Sequence, residues 1–210
     1  MINKGIILAG GMGTRMSPLT KAVNKQLLPL YDKPLIYYPL SVLMLAGIKK
    51  ILIIVNKGQL SQFRKILPEK NNLGIFLEYK EQIRPGGLPE AFTIGEKFIN
   101  KDSVSLILGD NFFYGQSLTK ILRKNMNLNS GAKIFVHPVK IPHLYGVATL
   151  DKNRKIVKLE EKPKKTKSNY AVTGLYFFDN KVVELTKKLK PSKRGELEII
   201  DLLNFYKRKK

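Results

Sequence analysis

Apolar residues fall in two kinds of run that alternate from one end of the chain to the other. Short continuous runs, of which Ile51-Leu52-Ile53-Ile54-Val55 is the purest, suit strands covered on both faces. Longer stretches with polar residues interspersed suit helices laid against a sheet. The strand candidates are Gly5–Leu8, Ile51–Val55, Ile75–Tyr79, Ser105–Leu108, Ala132–Pro138 and Tyr176–Phe178. The helix candidates are Leu35–Ala46, Leu60–Leu67, Leu88–Phe98, Leu118–Asn125, Val182–Leu189 and Ile199–Lys207. Gly47 reads as a C-terminal stop for the first helix, and Pro68 restricts the residue that ends the second. This alternation predicts an α/β fold with a parallel or mixed sheet flanked by helices.

Turn chemistry marks Asp151-Lys152-Asn153 and Pro191-Ser192-Lys193-Arg194-Gly195, and Lys162 to Ser168 forms a polar surface loop. No repeat and no linker composition interrupts the chain, so residues 1–210 are expected to form one domain.

Composition narrows the setting. A hydrophobic content of 43% over 210 residues is enough for a buried core. There are no cysteines, which excludes disulfides and thiolate metal sites. The longest apolar stretch, Leu35 to Ile48, contains Pro39 and Ser41 and falls short of the roughly 20 residues that span a bilayer. No secretory pattern opens the chain, so a cytoplasmic protein without a membrane partner is expected. The net charge of +22 invites a nucleic-acid reading. The excess is spread along the chain and is mostly Lys, which fits a solvated basic surface better than a specific nucleic-acid site.

Candidate chemistry begins where the first strand ends, in Leu8-Ala9-Gly10-Gly11-Met12-Gly13-Thr14-Arg15-Met16. Open α/β sheets bind ligands at the carboxyl ends of strands, and glycine-rich turns let backbone N–H groups approach phosphates. Spacing excludes two familiar motifs. A P-loop beginning at Gly10 needs Gly-Lys at positions 15 and 16, where Arg15 and Met16 stand; the dinucleotide fingerprint beginning at Gly11 needs glycine where Met16 stands. A purely structural tight turn is the alternative. Lys25-Gln26-Leu27-Leu28-Pro29 follows and adds a second cation near the turn. Cations so placed suit a triphosphate, whose nucleotidyl transfer develops charge on the α-phosphate and on departing pyrophosphate. Taken singly, each is equally a solvated surface charge.

Leu-Ala-Gly-Gly-x-Gly-Thr-Arg followed by Lys-Gln-Leu-Leu-Pro resembles the opening of sugar-1-phosphate nucleotidylyltransferases. Tyr31 to Leu40, Leu108 to Gly115, Tyr145-Gly146-Val147, Glu160 to Pro163, Ser168 to Tyr176 and Arg194 to Ile199 resemble the glucose-1-phosphate thymidylyltransferases in particular. These blocks occur in family order along the whole chain. The resemblance implies a Rossmann-like mixed, mostly parallel sheet of the nucleotide-diphospho-sugar transferase type. It also implies transfer of a thymidylyl group from dTTP to glucose 1-phosphate, giving dTDP-glucose and pyrophosphate for deoxysugar and cell-surface polysaccharide synthesis.

Roles follow from the same resemblance. Leu8, Gly10, Gly11, Gly13 and Thr14 would line the nucleotide, Arg15 would hold the pyrophosphate, Lys25 would contact the reacting phosphates, and Gln26 would border the nucleotide. Gln82 would read the thymine ring, with Gly87 letting the base lie against backbone. Asp110 would ligate Mg²⁺, a hard cation suited to oxygen ligands, although a turn cap is the reading of an isolated Leu-Gly-Asp. Asn111, Gly146, Glu161 and Val172 would face the sugar, and Lys162 would pair with its phosphate. An exposed charged turn is the alternative for Glu160-Glu161-Lys162. The attacking phosphate is already anionic, so no strong general base is required, and His137 and His143 receive no catalytic role.

The segment Gln82 to Ala91 departs from the usual Asp-Gly-Leu-Ala-Gln-Ala at Gly86, Pro89 and Glu90. The family also implies a later Trp-Leu-Asp-Thr-Gly block with a second metal-binding Asp, and C-terminal helices of a homo-oligomer. This sequence contains no Trp, and Asp201 matches no metal-ligand motif. Either Asp110, phosphates and water suffice for the metal, or the chain is a nucleotide-binding remnant with little turnover.

Overall fold

The computed structural model describes residues 1–208; the last two positions of the expected 1–210 domain lie outside it. In chain order the first half comprises β1 (Lys4–Ala9), β2 (Pro29–Leu30), β3 (Lys33–Pro34), α1 (Tyr37–Leu45), β4 (Lys50–Asn56), α2 (Leu60–Ile66), β5 (Phe76–Gln82), α3 (Glu90–Ile94) and α4 (Glu96–Ile99). The second half comprises β6 (Val104–Leu108), α5 (Leu118–Asn125), β7 (Ala132–Pro138), β8 (Gly146–Leu150), β9 (Ile156–Glu161), β10 (Tyr170–Phe178), α6 (Val182–Lys187) and α7 (Ile199–Arg208).

Eight strands make one sheet in the order β5-β4-β1-β6-β10-β8-β9, with β7 also paired to β10. The block β5-β4-β1-β6 is parallel. β10 runs against β6, β7 and β8, and β9 runs against β8, so six of the eight strands point one way. The expected mixed, mostly parallel α/β sheet is therefore present.

Alternation of side chains across the sheet explains the unbroken apolar runs. Ile7, Ile53 and Val55 face one layer, where Leu40, Leu43, Phe63 and Leu122 cover them. Ile6, Leu8, Leu52 and Ile54 face the other, against Phe92, Ile99, Leu185, Leu202 and Leu203. Strands buried on both sides have no polar face to display. A truncation such as Phe63→Ala, at a fully buried site, costs about 3–5 kcal/mol.

Gly47 ends α1 as the pattern predicts. Its φ is 88°, its N–H donates to Met44 O, and Ile48 N–H donates to Leu43 O. That pair of bonds is the Schellman stop, which places the αL residue on glycine. The stretch Leu88–Phe98 differs from expectation, because two short helices meet at Gly95. A Cβ there would lie 3.0 Å from Ile6 and 3.1 Å from Leu52, so glycine lets this segment press onto the sheet. The strands β8 and β9 had no counterpart in the pattern. β9 is an edge strand reading Ile-Val-Lys-Leu-Glu-Glu, and its charged residues hide the period. Among the described residues no helix is long and apolar enough to cross a membrane.

Candidate active site

The chain leaves β1, builds β4 and β5 on one side of it, and returns to add β6 on the other. Connections from adjacent strands β1 and β6 therefore depart in opposite directions, which opens a crevice at their carboxyl ends. Gly109 N–H donates to Leu8 O at 2.9 Å and holds the two strand ends together at its floor.

The glycine turn forms one wall. Gly11 and Gly13 have φ of 91° and 61°, a region that costs an L-residue roughly 1–2 kcal/mol. Asn56, the first polar residue after the apolar run of β4, clamps this turn. Its Oδ1 accepts from Gly11 N at 3.1 Å and its Nδ2 donates to Gly11 O at 3.0 Å. Thr14 and Arg15 follow in a 3₁₀ turn and are exposed. Arg15 makes no ion pair among the described residues, so its charge faces solvent beside the turn.

Asn24 fastens the second motif to the first. It is 4% exposed, donates from Nδ2 to Ala9 O and Gln59 Oε1, and caps the turn Lys25–Leu27 by accepting from Gln26 N. Gln26 is buried beneath the crevice. Its Nε2 donates to Gly10 O at 3.4 Å, while Oε1 has no hydrogen-bond partner among the described residues. Lys25 is thereby aimed across the crevice, where its ammonium donates to Asp110 Oδ2 at the end of β6. The two side chains are 21% and 34% exposed. A pair this close to water contributes about 1 kcal/mol or less, so a polyphosphate or cation can separate it at small cost.

Beyond Asp110 the sheet is split. The register of β10 with β7 shifts between Val172 and Tyr176. β10 pairs with β6 from Leu175 onward and with β8 at Tyr170 and Ala171. Because β7 occupies the opposite edge throughout, β6 and β8 share one edge, and a gap opens between them beside residues 172–174. Asn111 reaches into it, where Oδ1 accepts from Gly174 N at 3.1 Å. Gly146, at the start of β8, pairs in register with Glu161 of β9. A Cβ on Gly146 would lie 2.7 Å from Ile200, so the glycine lets α7 approach.

Glu161 lies 3.6 Å from Arg194 and 4.0 Å from Lys162. Burial raises its carboxyl above the ordinary range, assisted by Glu198; Lys162 and Arg194 pull the other way. Lys162 itself has φ of 41°, uncommon for a residue with a Cβ. Its N–H donates to Tyr145 O, which holds the strained residue in place. Arg194 lay within a recognised motif without a role; the structure sets it in this cluster, bound by two nitrogens to Glu198.

Gln82 ends β5, is 4% exposed, and lies behind the glycine turn: a Cβ on Gly10 would come 2.6 Å from its Oε1. Gly87 has φ of 99°, and the space a Cβ would fill is taken by Leu197 backbone, its oxygen 2.1 Å away. Leu197 N–H donates to Gly86 O at 2.8 Å. Glycine at 87 is thus demanded by packing of the 192–198 segment, a reason the local sequence could not reveal.

A glycine turn at the switch point, a cation pointed over it and a carboxylate on the facing strand define an α/β protein that handles a nucleoside polyphosphate. The chain belongs to the nucleotidyl transferase family, whose model matches residues 4–210. A glucose-1-phosphate thymidylyltransferase of Neisseria meningitidis serogroup A is 54% identical over 203 residues, 97% of this chain and 70% of that protein. One from Mycobacterium tuberculosis is 48% identical with the same coverage of both. A Bacillus anthracis structure assigned to that activity and solved with sucrose superposes with a TM-score of 0.90 at 42% identity, covering 98% of this chain and 83% of that one. A UDP-glucose pyrophosphorylase complexed with UDP-glucose gives 0.84 at 26% identity, covering 100% and 88%. Within the nucleotidyl transferases, this chain falls among the glucose-1-phosphate thymidylyltransferases.

Proposed function

We propose that the chain transfers a thymidylyl group from dTTP to glucose 1-phosphate, yielding dTDP-glucose and pyrophosphate, as one nucleotidyltransferase domain over residues 1–210. The observation that carries this reading is the Lys25–Asp110 pair bridging the carboxyl ends of β1 and β6, directly beside the glycine turn. A phosphate oxygen of the sugar phosphate attacks the α-phosphorus of dTTP in line, the bond from that phosphorus to the β-phosphate bridging oxygen breaks, and pyrophosphate leaves with the electron pair. The nucleophile is already anionic, so the protein's task is to orient and to stabilise charge.

Backbone of Leu8, Gly10, Gly11, Gly13 and Thr14 lines the triphosphate, and Gln26 fixes the floor. Arg15, which makes no ion pair among the described residues, receives the leaving pyrophosphate. Lys25 leaves Asp110 for the α-phosphate. Lys162 pairs with the sugar phosphate, while Asn111, Glu161, Gly146 and the backbone of Val172 hold the sugar in the gap between β6 and β8. Asp110 is suited to Mg²⁺: one carboxylate with substrate phosphates and water is an ordinary donor set for that ion, and this carboxylate is partly exposed beside the turn. When bound, the ion supplies neutralisation of phosphate charge. Nucleoside triphosphate supply makes the cytoplasm the setting for the reaction.

The test is pyrophosphate release from dTTP, glucose 1-phosphate and Mg²⁺ by the purified chain and by Lys25→Ala and Asp110→Ala. Turnover that either substitution lowers at least about 100-fold, the scale of one lost charge stabiliser, supports the assignment. Full turnover in both variants would place the reaction elsewhere.

A further inference from the structure

Two of the three positions at which the Gln82–Ala91 segment departs from its family's usual pattern, Gly86 and Glu90, meet each other in space. Glu90 Oε2 accepts from Gly86 N at 2.9 Å and from Gln82 Nε2 at 2.5 Å. A Cβ on Gly86 would lie 2.5 Å from that same oxygen, so glycine at 86 makes room for the carboxylate.

A carboxylate can only accept, so the nitrogen of the Gln82 amide must face Glu90. Its oxygen then faces the opposite way, toward Gly10 of the nucleotide turn. Gln82 Oε1 accepts no hydrogen bond among the described residues and is not sealed from water. An unconstrained amide can turn over and offer either a donor or an acceptor; this one is held as an acceptor.

We infer that Glu90 is a positioning residue that locks the Gln82 amide with its oxygen toward the crevice, so that the site selects a base carrying a ring N–H. Thymine and uracil carry that donor at N3, whereas the corresponding atom of cytosine is an acceptor and would face the Gln82 oxygen lone pair to lone pair. The inference rests on the proposed nucleotide site, and it predicts that selectivity resides in a residue that never touches the base.

The test measures affinity of the full chain for dTTP, dUTP and dCTP with Mg²⁺ by calorimetry, then repeats it with Glu90→Leu. Wild-type protein should bind dTTP and dUTP alike and dCTP at least about tenfold more weakly, the scale of one mispaired polar contact. Glu90→Leu, which offers no acceptor and leaves the Gln82 amide free to turn over, should shrink the dTTP-to-dCTP ratio toward one while keeping most of the dTTP affinity. A merely structural role for Glu90 would weaken all three nucleotides together and leave the ratio unchanged, which overturns the inference. Wild-type binding of N3-methyl-dTTP tests the same claim without a protein variant: it should fall at least about tenfold below dTTP, and equal binding overturns it. Equal wild-type affinity for dTTP and dCTP would overturn this inference alone, whereas no binding of either would bring down the proposed function with it.

Discussion

Replacing Gly87 with alanine separates two explanations of the same glycine. If glycine is there only to let a base lie against backbone, Gly87→Ala weakens nucleotide binding and leaves the fold intact. The structure demands the opposite emphasis. The new Cβ would lie 2.1 Å from Leu197 O and 2.7 Å from Leu197 N, both backbone atoms that cannot turn aside, and φ at 87 is 99°. The left-handed backbone costs about 1–2 kcal/mol. Driving the two segments apart breaks the bond from Leu197 N to Gly86 O, about 1–3 kcal/mol when its partners stay buried, and the overpacking adds about 1–3 kcal/mol. These terms overlap, so a loss of about 3–5 kcal/mol is expected, a large share of the 5–15 kcal/mol typical of a folded domain. The assay is equilibrium urea unfolding without nucleotide, comparing midpoints at equal slope. An unchanged midpoint together with weakened dTTP binding would refute the packing argument.

Other consequences follow from the same geometry. Asn56→Ala removes both bonds to Gly11 and should cost about 1–3 kcal/mol of stability, with dTTP affinity falling as the turn loosens; calorimetry of nucleotide binding beside a urea curve checks both. Gly146→Ala would push a methyl to within 2.7 Å of the Ile200 side chain, so that side chain must repack or carry α7 with it. Its expected signature is a stability loss of about 1–3 kcal/mol and a raised KM for the sugar phosphate, read by steady-state kinetics. Glu161 has a carboxyl raised by burial, so the folded state holds its proton more tightly than the unfolded chain. That contribution to stability is present at low pH and is lost as pH rises through the interval above 4.5. Glu161→Gln should therefore gain stability relative to wild type near pH 7, with the gain fading as pH falls toward 4.5, while its activity drops. Thermal unfolding across that range would show the opposite trend if its ion pairs, not burial, controlled the carboxyl.

Much of this was legible in the chain because it was local. The run Ile51–Val55 announces a two-sided strand, and a glycine turn after β1 announces a ligand end of a sheet. Gly47 marks its helix stop because the Schellman turn uses only its near neighbours. The limits are equally physical. Gly87 and Gly146 owe their identities to Leu197 and Ile200, which approach from far along the chain, and no periodicity records such contacts. β9 was hidden because an edge strand carries charge where a central one carries valine and isoleucine. The clamp of Asn56 had one faint signal, its place as the first polar residue after the run of β4. The geometry of Gln82 with Glu90 had only the departures from a family pattern, whose meaning required the side chains in place.

The central claim is best tested by phosphorus NMR of the wild-type chain mixed with dTTP, glucose 1-phosphate and Mg²⁺. The account predicts that pyrophosphate and the paired diphosphate resonances of dTDP-glucose grow together at equal rates, and only when glucose 1-phosphate is present. Phosphate release from dTTP without the sugar phosphate, or an unchanged spectrum at saturating substrates, would contradict it.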